Sequence, residues 1–206
     1  MHLLKSGVAN LVTSLYPAYF PRFAIYSYGP VSEAFLKEGI NNFLDALNWM
    51  HQLPYGRNTN RADYMLTFLE KQGTCSTKHA ALAALGEENQ QPIQLKVGIC
   101  KIGRDFDPKI EVLLDQFDID FFPEAHSYLS CPGGTIDITF PHLPPFFSYE
   151  VLEEYNISPE DIGDLKVMLH KDYLQKWMKE TGVISRFSFE DLWNFREQWI
   201  SGLNKK

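Results

Sequence analysis

Three side chains in this sequence could together make a nucleophile: Cys75, His126 and Asp137. A cysteine is a strong nucleophile only as the thiolate, and at its free pKa of about 8.5 only a few per cent is ionised at neutral pH. Cys75 lies in Gly73-Thr74-Cys75-Ser76-Thr77-Lys78-His79, which reads as a turn delivering the thiol to the first turn of a helix that continues through Ala80-Ala81-Leu82-Ala83-Ala84-Leu85. The positive end of a helix favours a thiolate by about 0.3–1 kcal/mol, at most about 2. One pKa unit is about 1.4 kcal/mol, so the helix alone leaves the thiol largely protonated. A base is required.

Two histidines could supply it. His79 stands four residues after Cys75 and shares its helix face. His126 lies in Glu124-Ala125-His126-Ser127-Tyr128-Leu129-Ser130, an alternating stretch that reads as a strand. A second strand, Gly134-Thr135-Ile136-Asp137-Ile138-Thr139-Phe140, follows the turn signal Cys131-Pro132-Gly133-Gly134. If Cys131 pairs with Gly134 across a two-residue turn, His126 and Asp137 become diagonal neighbours on one face. A one-residue change in the loop would place them on opposite faces.

The elements around these residues follow from spacing and caps. Helices are predicted from Ser32, over Ile40–Met50 and over Asn60–Lys71, the last leading into the cysteine turn. Ile93–Ile99 alternates as a strand that Cys100 continues, and Lys109–Phe122 contains a short helix. Pro141, Pro144, Pro145, Phe146 and Phe147 form a rigid loop beyond Asp137, one candidate lip of a cleft. Ser158-Pro159 starts a helix with apolar spacing at Leu165, Met168, Leu169, Tyr173, Leu174 and Trp177, and Gly182 stops it. Ser188 caps a last helix. The fold class is α+β: a nucleophile-bearing helix on an antiparallel sheet, flanked by helices. One domain spans 1–206, with an N-terminal helical and aromatic part at 1–60, a core at 61–141 and a C-terminal helical extension at 142–206.

The chain has 206 residues, 45% hydrophobic, with a net charge of -7, enough for a real core. No lysine or arginine cluster is present, which argues against nucleic acid or an acidic membrane surface as partner. No apolar run reaches the ~18 residues of a membrane span. Three cysteines without paired spacing do not make a disulfide framework, which points to a reducing, cytoplasmic setting. The stretch Gly7-Val8-Ala9-Asn10-Leu11-Val12 after Lys5 is broken up by Asn10, Thr13 and Ser14 and followed by no small-residue cleavage site, so the N-terminus reads as mature protein. Cys75, His79, Cys100 and Cys131 lack the paired spacing of a zinc site, and Asp115, Asp118 and Asp120 lack the pattern of a calcium loop. No metal or cofactor is expected.

From Ala62 to Pro141 the order of Gly-Thr-Cys opening a helix, a strand His and an Asp on the next strand resembles the transglutaminase-like branch of papain-like cysteine enzymes. The resemblance implies Cys75 as nucleophile, His126 as general base and acid, and Asp137 as the residue orienting the imidazole. It further implies site-lining roles for Trp49 or Tyr55 upstream and for Tyr128, where a tryptophan is common. Gln72 stands nearest to a papain-type oxyanion glutamine, and the Cys75 backbone N–H is the other oxyanion donor. The Arg-Gly-Gly-x-Cys phrase of arylamine acetyltransferases is not matched by Lys71-Gln72-Gly73-Thr74-Cys75. The implied function is acyl-enzyme chemistry on an amide or ester carbonyl of a peptide or protein substrate, as peptidase, deamidase or acyl transferase, with hydrolysis as the default. The alternative is a non-enzymatic protein-binding module on the same fold.

Overall fold

The computed structural model describes residues 16–146 and 148–203. The reading of residues 1–15 as mature protein, and Phe147 of the proline loop, lie outside the described residues.

The chain is organised around one buried helix. Seven α-helices are described: α1 (Pro30–Lys37), α2 (Phe43–Gln52), α3 (Leu66–Glu70), α4 (Cys75–Glu88), α5 (Pro108–Phe117), α6 (Asp164–Glu180) and α7 (Phe189–Leu203). Every residue of α4 from Ser76 to Gly86 is buried, so this helix is apolar or internally satisfied on all sides. Its small Ala80-Ala81 and Ala83-Ala84 pairs let α1, α2, α3 and the sheet approach from different directions. Thr74 is the N-cap and forms a capping box with Thr77, fixing where the helix begins and placing Cys75 at its first position.

The sheet has four antiparallel strands, β1 (Gln94–Ile102), β2 (Phe122–Cys131), β3 (Gly134–Ile136) and β4 (Val151–Ile157), in spatial order β3-β2-β1-β4. Cys131 pairs with Gly134, Ser130 with Thr135 and Leu129 with Ile136, the register that the Pro-Gly turn predicts. Gly133 has φ +100°, which only glycine adopts without strain, so the turn residue sets the register. The ring of Tyr19 covers this turn, and the aromatic N-terminal segment buries Tyr16 and Phe20 against the core.

Several elements differ from the sequence expectation. Asn60–Lys71 is not one helix. Asn60 Oδ1 accepts from the Ala62 N–H and Asp63 Oδ1 from the Met65 N–H, and these local bonds turn the backbone until Leu66. The helix stops at Lys71, at φ +52°. β1 is a nearly fully buried central strand without a solvated face. β4, within the part read as a helical extension, completes the sheet beside β1. It is an edge strand without deep burial, so it lacks the apolar alternation that marks a strand in sequence.

Two large clusters, with a small third one at Val97, Ile99 and Ala125, hold the fold. One surrounds α4 and includes Phe35, Leu47, Leu82, Leu95, Leu129 and Ile136. The other joins Cys100, Ile102 and Phe122 of the sheet to α5, α6 and α7 through Leu113, Phe117, Leu174, Trp177 and Trp199. The start of α4 lies where α6 crosses β2, between the clusters.

Candidate active site

His126 is delivered by β2, where it pairs across the ladder with Gly98 of β1. A Cβ on Gly98 would stand 3.1 Å from the Tyr128 ring and 3.4 Å from Cys100 Sγ, so glycine is the residue that leaves this stretch room. Asp137 follows directly on β3, where the ladder has ended and its N–H turns to the Pro145 carbonyl at 3.4 Å. Nε2 of His126 donates to Asp137 Oδ2 at 2.7 Å, with both residues buried. With Nε2 committed to Asp137, Nδ1 is the ring nitrogen left to serve the Cys75 thiol, to which His126 is electrostatically coupled. The other Asp137 oxygen accepts from the Thr139 hydroxyl at 2.6 Å and the Thr139 N–H at 3.0 Å, which fixes the carboxylate plane.

The electrostatics follow from these contacts. Burial alone would push the Cys75 thiol up; the Lys166 ammonium, the His126 imidazolium with its hydrogen bond, and the Ser127 N–H outweigh it and bring the thiol down to about 5. Burial would lower His126, but the Asp137 carboxylate and the Cys75 thiolate raise it well above the ordinary imidazole range. Burial would raise Asp137; His126 and the hydrogen bonds hold it well below the usual carboxylate range. The favoured state is a thiolate-imidazolium pair anchored by an ionised aspartate.

Sequence reasoning missed Lys166. Its Nζ lies 3.4 Å from Cys75 Sγ and donates to Ser76 Oγ at 2.8 Å, and the residue is 8% exposed. The buried side of α6 is Lys166, His170, Leu174, Trp177 and Met178, whereas Met168, read as part of an apolar stripe, is 49% exposed. Counting back by helical turns from Leu174 and Trp177 places a lysine and a histidine on the inward face. Polar residues on that face were the available signal.

His79, the second candidate base, is fully buried, and both ring nitrogens are engaged. Nδ1 donates to the Cys75 carbonyl at 2.7 Å and Nε2 accepts from the Ile138 N–H at 2.9 Å. Burial lowers its pKa to about 4, so it is neutral and ties the nucleophile turn to the segment bearing Asp137. Lys78 reinforces that tie by donating to the carbonyls of Leu53 at 2.6 Å and Thr139 at 3.1 Å.

Cys75 opens onto a cleft of about 320 Å³. Tyr55 lines it, as do Thr74, Ser76, Lys166, Val167 and Trp193. The other sequence candidates lie elsewhere. Trp49 stacks on Phe68 and packs edge-on against Phe35, with the Lys71 ammonium 4.9 Å above it. Gln72 donates to the Arg57 carbonyl at 2.9 Å and is not among the residues lining the cleft. Tyr128 is buried and its hydroxyl bonds Glu154 on β4. The proline loop is not a lip of this cleft. His51 holds it through the carbonyls of Phe140 and Leu143, and it bounds a separate cavity of about 90 Å³ beside Asp137.

One end of the cleft is closed by an ionic chain. Arg196 of α7 grips both oxygens of Glu124 and reaches Glu197 at 2.5 Å, and Glu197 meets Arg57 at 2.9 Å. This chain ties α7 to the loop ahead of the nucleophile. Among the described residues no group of three His, Cys, Asp or Glu side chains is placed to hold a metal ion. Asp115 and Asp118 pair instead with Arg104 and Arg186. No described helix is long and apolar enough to cross a membrane.

The fold is thus α+β, with Cys75 at the start of a buried helix and coupled to His126, which is hydrogen-bonded to Asp137. Comparison with protein-family models, curated proteins and solved structures gives no match for this chain.

Proposed function

We propose that the protein is a cysteine-nucleophile enzyme acting on amide or ester carbonyls through an acyl-enzyme, on a core of the transglutaminase-like, papain-like kind. The observation that carries this reading is the 2.7 Å His126–Asp137 bond, made by a histidine that is also coupled to the partly exposed Cys75. A histidine buried only for packing would not need a thiol on one side and a carboxylate on the other.

In the first half-reaction the Cys75 thiolate attacks the carbonyl carbon, and the carbonyl electrons move onto oxygen. At the first positions of α4 the Cys75 and Ser76 N–H groups have no intrahelical acceptor, and they are the donors on hand for that oxyanion. Collapse expels the amine or alkoxide, which takes the Nδ1 proton of His126. Neutral His126 then removes a proton from water or an acceptor amine as it attacks the thioester, and Cys75 leaves as thiolate.

Magnitudes show what the depressed thiol contributes. At pH 7, lowering a thiol from about 8.5 to about 5 raises its ionised fraction about thirtyfold, while intrinsic nucleophilicity falls by a similar factor. Attack itself gains little. The benefits are a loaded imidazolium ready for the leaving group and a thiolate that departs easily from the acyl-enzyme.

The pH dependence of iodoacetamide alkylation at Cys75 tests this reading. A nearly constant rate from pH 6 to 8 is expected, with His126→Ala shifting the profile upward. A rate climbing about tenfold per pH unit, as for an ordinary thiol, would remove the basis for catalysis.

A further inference from the structure

The charges around the cleft do not balance. Four cationic side chains face it, Arg57, Arg61, Lys166 and Arg196, against two carboxylates, Glu124 and Glu197. Glu124 lies near Lys166 as well, yet both its oxygens are bound by Arg196. Glu197 bridges Arg196 and Arg57. Pairing these off leaves Lys166, whose anion is the Cys75 thiolate 3.4 Å away, and Arg61, an exposed side chain with no ion pair among the described residues.

Acylation disturbs this arrangement. When the thiolate forms a bond to the acyl carbon, its charge passes to the oxyanion and is cancelled by the His126 proton as the neutral leaving group departs, and the sulfur becomes a neutral thioester. Lys166, 8% exposed and 3.4 Å from that sulfur, then loses the anion nearest it. A buried cation without a partner is costly, and Arg61 adds to the positive field of the same cleft.

Resting on the assignment of Cys75 as the nucleophile, we propose that the cleft takes acyl substrates carrying a carboxylate close to the carbonyl under attack. A carboxylate on the acyl portion persists through the thioester stage and supplies the missing anion throughout. The space is small: about 320 Å³ is at the lower end of ligand pockets and suits an acyl group of one or two residues. Ile162, Val167 and Trp193 give it an apolar wall for the connecting carbons. The Lys166 ammonium, 2.8 Å from Ser76 Oγ, and the Arg61 guanidinium fix the charged end.

Two alkylating reagents of nearly equal size test the charge preference, iodoacetate with a carboxylate and iodoacetamide without. Rates at Cys75 are measured in the full chain for the wild type, Arg61→Gln and Arg61→Lys. The iodoacetate-to-iodoacetamide ratio should exceed that of a free thiol, fall about threefold in Arg61→Gln and recover in Arg61→Lys. A ratio no higher than that of a free thiol, or unchanged by Arg61→Gln, overturns the anionic-substrate inference while leaving the nucleophile intact, provided iodoacetamide alone shows the flat pH profile. An ordinary thiol profile with both reagents overturns the nucleophile and this inference together.

Discussion

Two histidines approach Asp137, and their fates differ completely. His126, on β2, places one nitrogen on the Asp137 carboxylate and the other on a thiol, and it is held protonated. His79, on α4, lies 3.6 Å from the other Asp137 oxygen, yet both its nitrogens are engaged by backbone groups and it is held neutral. Proximity to a carboxylate does not charge a histidine when burial opposes it and the ring already donates and accepts once each. The first arrangement can move a proton; the second can only fix a backbone. The three cysteines repeat the lesson. Cys75, beside Lys166 and His126, is pulled down, whereas burial pushes Cys100 and Cys131 up.

This contrast can be broken experimentally, beginning with the largest effect. Cys75→Ser should abolish turnover and remove alkylation below pH 8, because the two remaining thiols stay protonated; a mass spectrum of the labelled protein checks this. His126→Ala should lower turnover about a thousandfold or more with the fold retained. His79→Ala should behave in the opposite way, costing about 2–4 kcal/mol of stability in urea denaturation while the thiol midpoint in the folded fraction stays low. Equal loss of thiolate character in the two variants would erase the distinction between them.

Lys166→Met comes next. It should raise the Cys75 midpoint by about one to two units, because the ammonium is the largest single electrostatic stabiliser of the thiolate. The loss of turnover should be smaller than for His126→Ala, since this substitution removes a charge but no proton carrier. The last effect is on acid stability. His79 and His170 have folded pKa values of about 4, below the unfolded value near 6.5, so the unfolded chain binds more protons between these limits. Stability therefore falls as pH drops from about 6.5 to about 4, by up to about 3 kcal/mol for each ring. His79→Gln should flatten that slope relative to the wild type.

Much of this arrangement was legible in the sequence. The Pro132-Gly133 turn set the β2–β3 register, because turn geometry is local; the strand expected to run to Phe140 stops at Ile136, and Asp137 meets His126 from beyond the ladder. The Gly73-Thr74-Cys75 turn likewise located the start of α4. What stayed hidden depends on tertiary context. Lys166 is 91 residues from Cys75 and reads as a solvated residue on an amphipathic helix until the inward face of α6 is known. The roles of Trp49 and Gln72 hinged on whether a ring or an amide finds a nearer partner, and Phe68 and the Arg57 carbonyl are those partners. β4 was invisible because an edge strand needs no apolar alternation.

The charge of one sulfur atom separates a catalytic centre from a packed one. Thiolate ultraviolet absorbance, followed against pH for the wild type and corrected with Cys75→Ser, should rise with a midpoint near 5. A midpoint between about 8 and 9 would mean that neither His126 nor Lys166 acts on the thiol, and would contradict the account.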